Sequence, residues 1–412
     1  MATTRIFQGS NLSRNASTTT YHLLVNNGTF GAQSTAPLVQ TIYRTAGTLA
    51  NLYVYISQND RGASTYKSWI NGSAGNLSVS ITASGTGGFE DTSNSDSITA
   101  GDAVNAQSIT GAGGSVFIIN TAACDYTTSN NVTVKYASYV VNVSTASTTY
   151  YAPFAGGAGL SSATTTEAYT QITQYTAATL ANLHFQVITN GRSTTTTVRS
   201  RVNGGDGNLV LSIAGGTTGS VEDTSNSDSI SSGDLCNFSI TLGTGTGSFV
   251  TRAQAIGFTS TSGQYQLSAA SAAGVTINAN LSRGIACAGD LSNYPSAIDA
   301  TVLSKIAATL SKLECYVSSN GVSDTSTLVL RINGSPGNQT VSITGSTTGL
   351  FKDTTNSDSI TATDTIYNYL TTGATGTNLT LRYTNMLVDV SAVTPVVNYS
   401  TTQFFQLLGI GT

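Results

Sequence analysis

One nine-residue string occurs three times along the chain. Glu90 to Ile98 reads Glu-Asp-Thr-Ser-Asn-Ser-Asp-Ser-Ile, the string returns at Glu222 to Ile230, and Lys352 to Ile360 gives Lys-Asp-Thr-Thr-Asn-Ser-Asp-Ser-Ile. The first aspartates, Asp91, Asp223 and Asp353, are 132 and 130 residues apart. Twenty residues before each stands an Asn-Gly, at Asn71, Asn203 and Asn333, opening NGSAGN, NGGDGN and NGSPGN. About twenty residues earlier again comes a leucine pair: Leu49 and Leu52, Leu180 and Leu183, Leu310 and Leu313. Three anchors at near-constant offsets define a tandem module of roughly 130 residues. A module of that size can bury its own core.

Between the anchors the pattern has period two. Leu52, Val54 and Ile56 share a strand face, as do Leu183, Phe185 and Val187, then Leu313, Cys315 and Val317. Leu77, Val79 and Ile81 alternate with Ser, and the later copies repeat this at Leu209, Leu211 and Ile213, then Val341 and Ile343. Apolar residues alternating with hydroxyl residues predict strands with one buried and one solvated face. The expected core is Leu52, Val79, Ile81, Phe89 and Ile98, with counterparts Leu183, Leu211, Ile213, Val221 and Ile230, then Leu313, Val341, Ile343, Phe351 and Ile360. Asn-Gly between such runs predicts a hairpin, because both residues tolerate positive φ. The six-residue string implies a loop longer than two residues.

The expected architecture is all-β: three tandem jelly-roll-like antiparallel β-sandwich domains. Boundaries fall at 17–145, 146–262 and 263–393, with a polar N-terminal arm at 1–16 and an apolar C-terminal tail at 394–412. The third copy is read as carrying about fifteen extra residues around Ile277 to Ala300.

Composition excludes several function classes. The net charge is −4 and charged residues make up 9% of the chain, so Ser, Thr, Asn and Gly keep the surface wet. With 39% apolar residues the chain is not expected to be disordered. No Lys/Arg cluster supplies a nucleic-acid footprint. No stretch has the length of a transmembrane helix, so membrane insertion is not expected. Met1-Ala2-Thr3-Thr4-Arg5-Ile6 lacks the apolar core of a secretory signal. An extracellular-type composition without a visible export signal fits a protein released by cell lysis, as virion proteins are. Signal-independent secretion is the alternative.

The repeated Asp-rich loop is the first candidate for chemistry. Asp91 and Asp102, Asp223 and Asp234, and Asp353 and Asp364 frame spacings similar to a calcium loop. The central glycine is missing, the last ligand is Asp rather than Glu, and no helices flank the loop. Turns held by Asp, Asn and Ser side chains on nearby backbone are the preferred reading. No cofactor is expected. His22 and His184 occupy non-equivalent positions. His184 aligns with Tyr53 and Glu314 on an outward strand face and is expected at the surface, so no Ser-His-Asp set is indicated. Cys236 and Cys315 fall in core columns and are expected as buried small hydrophobes; a Cys287–Cys315 disulfide stays open. Trp69 aligns with Arg201 and Arg331, which makes that outward column a candidate subunit or ligand contact. Phe404, Phe405, Leu407 and Leu408 in the tail are too apolar to stay in water. They are expected to pack on their own module or to dock on a neighbouring chain.

The run from leucine pair through Asn-Gly to Asp-Thr-Ser-Asn-Ser-Asp-Ser-Ile and Gly-Asp resembles a module of tailed-bacteriophage virion surface proteins, such as head decorations and fibres. The Gly-Asp step before a late strand also resembles jelly rolls of the tumour-necrosis-factor type. Gly101 and Gly233 match that step, whereas Thr363 replaces the glycine in the third copy. The resemblance spans most of 17–393 and implies no catalytic residue. It implies a non-catalytic virion structural protein, a capsid decoration or fibre-type component, with copies of itself, other virion proteins and host-surface glycan as expected partners. A secreted adhesin or filament subunit is the alternative. A carbohydrate-active enzyme is disfavoured, because it needs paired carboxylates beside aromatic platforms.

Overall fold

Leu49 and Leu52 both reach the core, although an unbroken strand sends residues three apart to opposite faces. Asn51 between them has φ +53, and the register jumps from Ala50 opposite Ser95 to Leu52 opposite Asp91. This bulge turns the second leucine inward. Asn182 and Lys312 take the same positive φ between the later pairs, and all six leucines are buried.

The computed structural model describes residues 2–13, 17–24, 34–129, 132–137, 141–154, 163–260, 264–291, 293–294 and 300–390. Each module is a sandwich of two sheets whose main strands pair antiparallel. In the second, one sheet runs Val132–Ala137, Phe249–Ser260, Ala178–Asn190, Gly219–Ile230. The other runs Thr149–Ala152, Leu235–Thr241, Thr196–Val202, Gly205–Ile213. Counting the eight main strands in chain order, the orders are first–eighth–third–sixth and second–seventh–fourth–fifth. That is jelly-roll connectivity. The first module repeats it with Ala2–Ser13, Phe117–Thr128, Gly47–Asn59, Gly87–Ile98 and with Thr19–His22, Ala103–Ile109, Ser64–Ile70, Ser73–Ile81. The third repeats it from Gln264–Asn278 to Gly376–Asp389. The helical pieces among the described residues are short 3-10 turns such as Ala36–Val39 and Glu167–Tyr169. None is long and apolar enough to cross a membrane.

The strand pairing moves the expected boundaries. Ala2–Ser13, read as an arm, is the first strand of the first module and pairs with Phe117–Thr128. Val132–Ala137 and Val141–Val143, assigned to the first module by the sequence, pair with Phe249–Ser260 of the second. The first two modules therefore begin about fifteen residues earlier than their anchors suggested, while the third begins at Gln264, next to its expected boundary. The first strand carries no repeated motif, so the anchors could not locate it. The same shift removes the supposed insertion in the third copy. From Ala2 to Leu49, Val132 to Leu180 and Gln264 to Leu310 the chain covers nearly the same length.

The Asn-Gly turn is also tighter than expected. Ile70 pairs with Ser73, Val202 with Gly205 and Ile332 with Ser335, so the loop is two residues. Asn71 and Gly72 have φ +50 and +80, the two positive values of a type I′ turn. The rest of the six-residue string is strand.

The cores contain most of the expected residues. Leu52, Val79, Ile81 and Ile98 and their counterparts are buried, while Phe89, Val221 and Phe351 are half-buried at the edge. Cys124, Cys236, Cys287 and Cys315 are buried and none is in a disulfide. Burial pushes the Cys287 thiol up to about 12.

Candidate functional site

A jelly roll leaves the outer face of each sheet to be covered or wetted. On the sheet that holds the leucine pairs, one cross-strand set recurs. Tyr53 lies between Glu90 and Ala123, His184 between Glu222 and Ala255, and Glu314 between Lys352 and Asn385. These central positions point away from their own sandwich, yet Tyr53, His184 and Glu314 are at most 6% exposed. The expectation that His184 lies at the surface is overturned. A neighbouring module covers it. His22 is buried too, with its Nε2 2.7 Å from Ser108 Oγ.

The cover comes each time from one loop. A short strand, Thr41–Ile42, Ile172–Thr173 or Val302–Leu303, pairs with the seventh main strand of its own module. Two residues beyond it stand Arg44, Tyr175 and Lys305. Arg44 of the first module forms a forked ion pair with Glu222 of the second, Nε to Oε1 being 3.0 Å. Tyr175 of the second donates to Glu314 of the third at 2.5 Å. Lys305 of the third pairs with Glu90 of the first. The contacts run one to two, two to three and three to one, and so close a ring. In the third module the carboxylate has crossed to the adjacent strand, Lys352 having replaced the glutamate, and still meets the incoming loop.

Apolar and amide contacts accompany these pairs. Ala123 packs into the third module's core cluster and Ala255 into the first module's. Asn385, at the same position, donates to Thr173 O and to Glu314 Oε1, each at 2.9 Å. Ile172, Ala270 and Tyr383 form a small buried cluster between the second and third modules. There the Arg382 guanidinium lies 4.2 Å from the ring centre of Tyr169. Burial raises the Glu314 carboxyl, and hydrogen bonds from Tyr175 and Asn385 pull against it. Burial lowers the His184 imidazole to about 4, with Glu222 opposing and Arg44 adding to the shift.

The Asp-rich strings fold as bulged turns. Asp91 Oδ1 accepts from the N–H groups of Ser93 and Asn94, and its Oδ2 from Ser78 N–H and the Asn94 amide. Asp223 and Asp353 have the same partners in their modules. Burial would raise the Asp91 carboxyl, but these hydrogen bonds outweigh it and hold it at about 2. A carboxylate saturated by donors has no lone pair aimed at a cation. Asp102, Asp234 and Asp364 serve another turn. Each accepts from the side chain of Asn71, Asn203 or Asn333 and from an N–H three residues back. The structure therefore does not assemble the two aspartates of each expected pair into one ligand set. No group of three potential metal ligands occurs among the described residues.

Sequence reading missed the second aspartate of the string. Asp96 is buried and accepts from Ser68 Oγ and the N–H groups of Asn76 and Leu77. Asp228 takes the equivalent bonds from Ser200 and Asn208. In the third module Leu330 replaces the serine, and Gln339, in the column of Leu77, adds a side-chain donor to Asp358. The signal was present in the sequence as two aspartates in all three copies, only one of which was given a role.

Trp69, Arg201 and Arg331 do share one outward column on the other sheet. Trp69 meets Tyr21 edge-on at 5.2 Å, Arg201 lies over Tyr151 and Arg331 over Tyr369 at 4.3 Å. None of these contacts crosses between modules. Thr363 does not take the positive φ of Gly101 and Gly233, so the third Gly-Asp turn differs in its backbone. Phe404, Phe405, Leu407 and Leu408 lie outside the described residues.

No family model matches the sequence. No characterised protein matches it in sequence. Among solved structures, the insecticidal delta-endotoxin Cry8Ea1 from Bacillus thuringiensis aligns at 10% identity and a TM-score of 0.17 over 92% of this chain, which spans 60% of the toxin's length. A triple jelly roll from the turret assembly of an archaeal virus aligns at 11% identity and a TM-score of 0.14, over 94% of this chain and 91% of that one.

Proposed function

We propose that the chain is a non-catalytic structural protein of a virion surface, a capsid decoration or fibre-type component, in which three fused jelly rolls replace a trimer. The observation that carries this reading is the cyclic interface: equivalent loops dock on equivalent sheet faces until the third module meets the first. Such closure presents a pseudo-threefold block suited to symmetric assembly. The hydroxyl- and amide-rich surface and the commitment of the repeated carboxylates to turns support a structural role over a catalytic one. Expected partners are other virion proteins and further copies of the chain.

The test is immunogold labelling and cryo-electron microscopy of particles released from cells that make the protein. Three-lobed density at regular sites on the particle is the expected result. Particles without the chain overturn the proposal. Purified protein growing into filaments instead favours the secreted filament subunit.

A further inference from the structure

In a chain with 9% charged residues, the outer face of the second module gathers a charged set that its sisters lack. Arg201 and Asp206 face each other across neighbouring strands, and Arg199 stands two residues back on the same face. The counterparts of Asp206 are Ala74 and Pro336, and those of Arg199 are Lys67 and Val329. The first module keeps a cation there without the carboxylate and the third has neither, so the fold does not require the charged pair.

The set lines an open cleft of about 220 Å³ whose floor carries the hydroxyls of Thr149, Thr197, Ser239 and Thr241. Within it the two arginines differ. Arg201 is fully engaged: Glu167 grips it through both carboxylate oxygens, Asp206 and Gly204 O take other N–H groups, and Tyr151 lies beneath it. This arginine holds Asp206 in place. Arg199 is 38% exposed and only 3.8 Å from Asp206 Oδ2, too long for a hydrogen bond. The cleft thus offers a guanidinium fork, an adjacent carboxylate oxygen and a floor of hydroxyls.

We infer that this cleft binds one pyranose ring, with a pair of neighbouring sugar hydroxyls donating to Asp206 and accepting from Arg199. The polar lining disfavours an apolar ligand. The paired charges disfavour a simple anion, which Asp206 would repel. The volume is below the roughly 300–1,000 Å³ of drug-sized ligand pockets, so the cleft holds a single sugar unit, and any further units extend into solvent. This inference stands apart from the proposed virion role, since a sugar site is compatible with other roles of the fold.

The experiment is saturation-transfer NMR on the full chain with free glucose, galactose, mannose and N-acetylglucosamine at millimolar concentration. At least one sugar should receive saturation, and Arg199→Ala and Asp206→Asn should each reduce that signal at least tenfold without lowering the melting temperature. Lys67→Ala, at the position of Arg199 in the first module, should leave it unchanged. Absence of transfer to every sugar, transfer that survives both cleft variants, or competition of equal strength by inorganic sulfate would each overturn the inference. Because the readout is sugar binding by isolated protein, its failure leaves the particle-labelling result untouched.

Discussion

Single side chains in this chain answer to two kinds of burial. Ile81 lies inside its own sandwich at 1% exposure. Ile81→Ala should cost roughly 2–5 kcal/mol in urea unfolding, by lost transfer energy and the cavity left behind. His184 is buried between modules. Its folded pKa of about 4 lies below the 6.5 of an exposed imidazole. As pH falls, the unfolded chain takes up the proton first. The stability contributed by the neutral ring is complete above 6.5 and drains away between 6.5 and 4. Glu314, with its raised carboxyl, acts in the opposite sense, so the comparison must be with a variant that keeps it. Over that window the native protein should lose on the order of 2–3 kcal/mol more than His184→Gln. Equal losses in the two proteins would show that His184 titrates freely.

At the scale of elements, the two glycines of the NGxxGN string have different jobs. Gly72 has φ +80 and open space around it, so Gly72→Ala should cost only about 1–2 kcal/mol of backbone strain. Gly75 has ordinary φ, but a Cβ there would stand 2.6 Å from Asp96 Oδ2 and collide with Ser68 Oγ. Gly75→Ala should therefore be the more damaging change in a thermal melt, because it pushes a buried carboxylate off its donors. The turns around Asp91 and its counterparts are closed by N–H groups, so adding a chelator should leave the melting temperature unchanged. A large drop would establish a calcium loop instead.

For the whole molecule, the three contacts of the ring should differ in strength. Arg44 and Glu222 are partly solvated, their side chains 34% and 18% exposed. A double-mutant cycle on that pair should give a coupling below about 1 kcal/mol that weakens in salt. Tyr175 and Glu314 are buried. Tyr175→Phe leaves a carboxylate oxygen without that donor and should cost about 1–3 kcal/mol, with little salt dependence. If Tyr175→Phe instead unfolds like the native protein while Arg44→Ala is severely destabilised, the ranking is wrong. The ionic contacts act mainly in orientation; the burial of Tyr53, His184, Ala123 and Ala255 supplies most of the adhesion.

The sequence by itself determined the module, its number and the strands between its anchors. Period-two alternation reports which face of a strand is buried, and a threefold repeat with Asn-Gly and Asp anchors reports the same local solution three times. Even the Leu-x-x-Leu spacing contained the bulge, since two inward leucines three apart require an extra residue between them. Where the first two modules begin was decided in tertiary structure, because Ala2–Ser13 and Val132–Ala137 join their sheets through backbone bonds that any side chain can make. The ring was likewise beyond local pattern. Arg44, Tyr175 and Lys305 share a position but not a chemistry, and their partners Glu222, Glu314 and Glu90 lie on two different strands. A residue facing away from its own core reads as surface until another module covers it, and only the packing of three modules on one another put His184 and Glu314 out of reach of water.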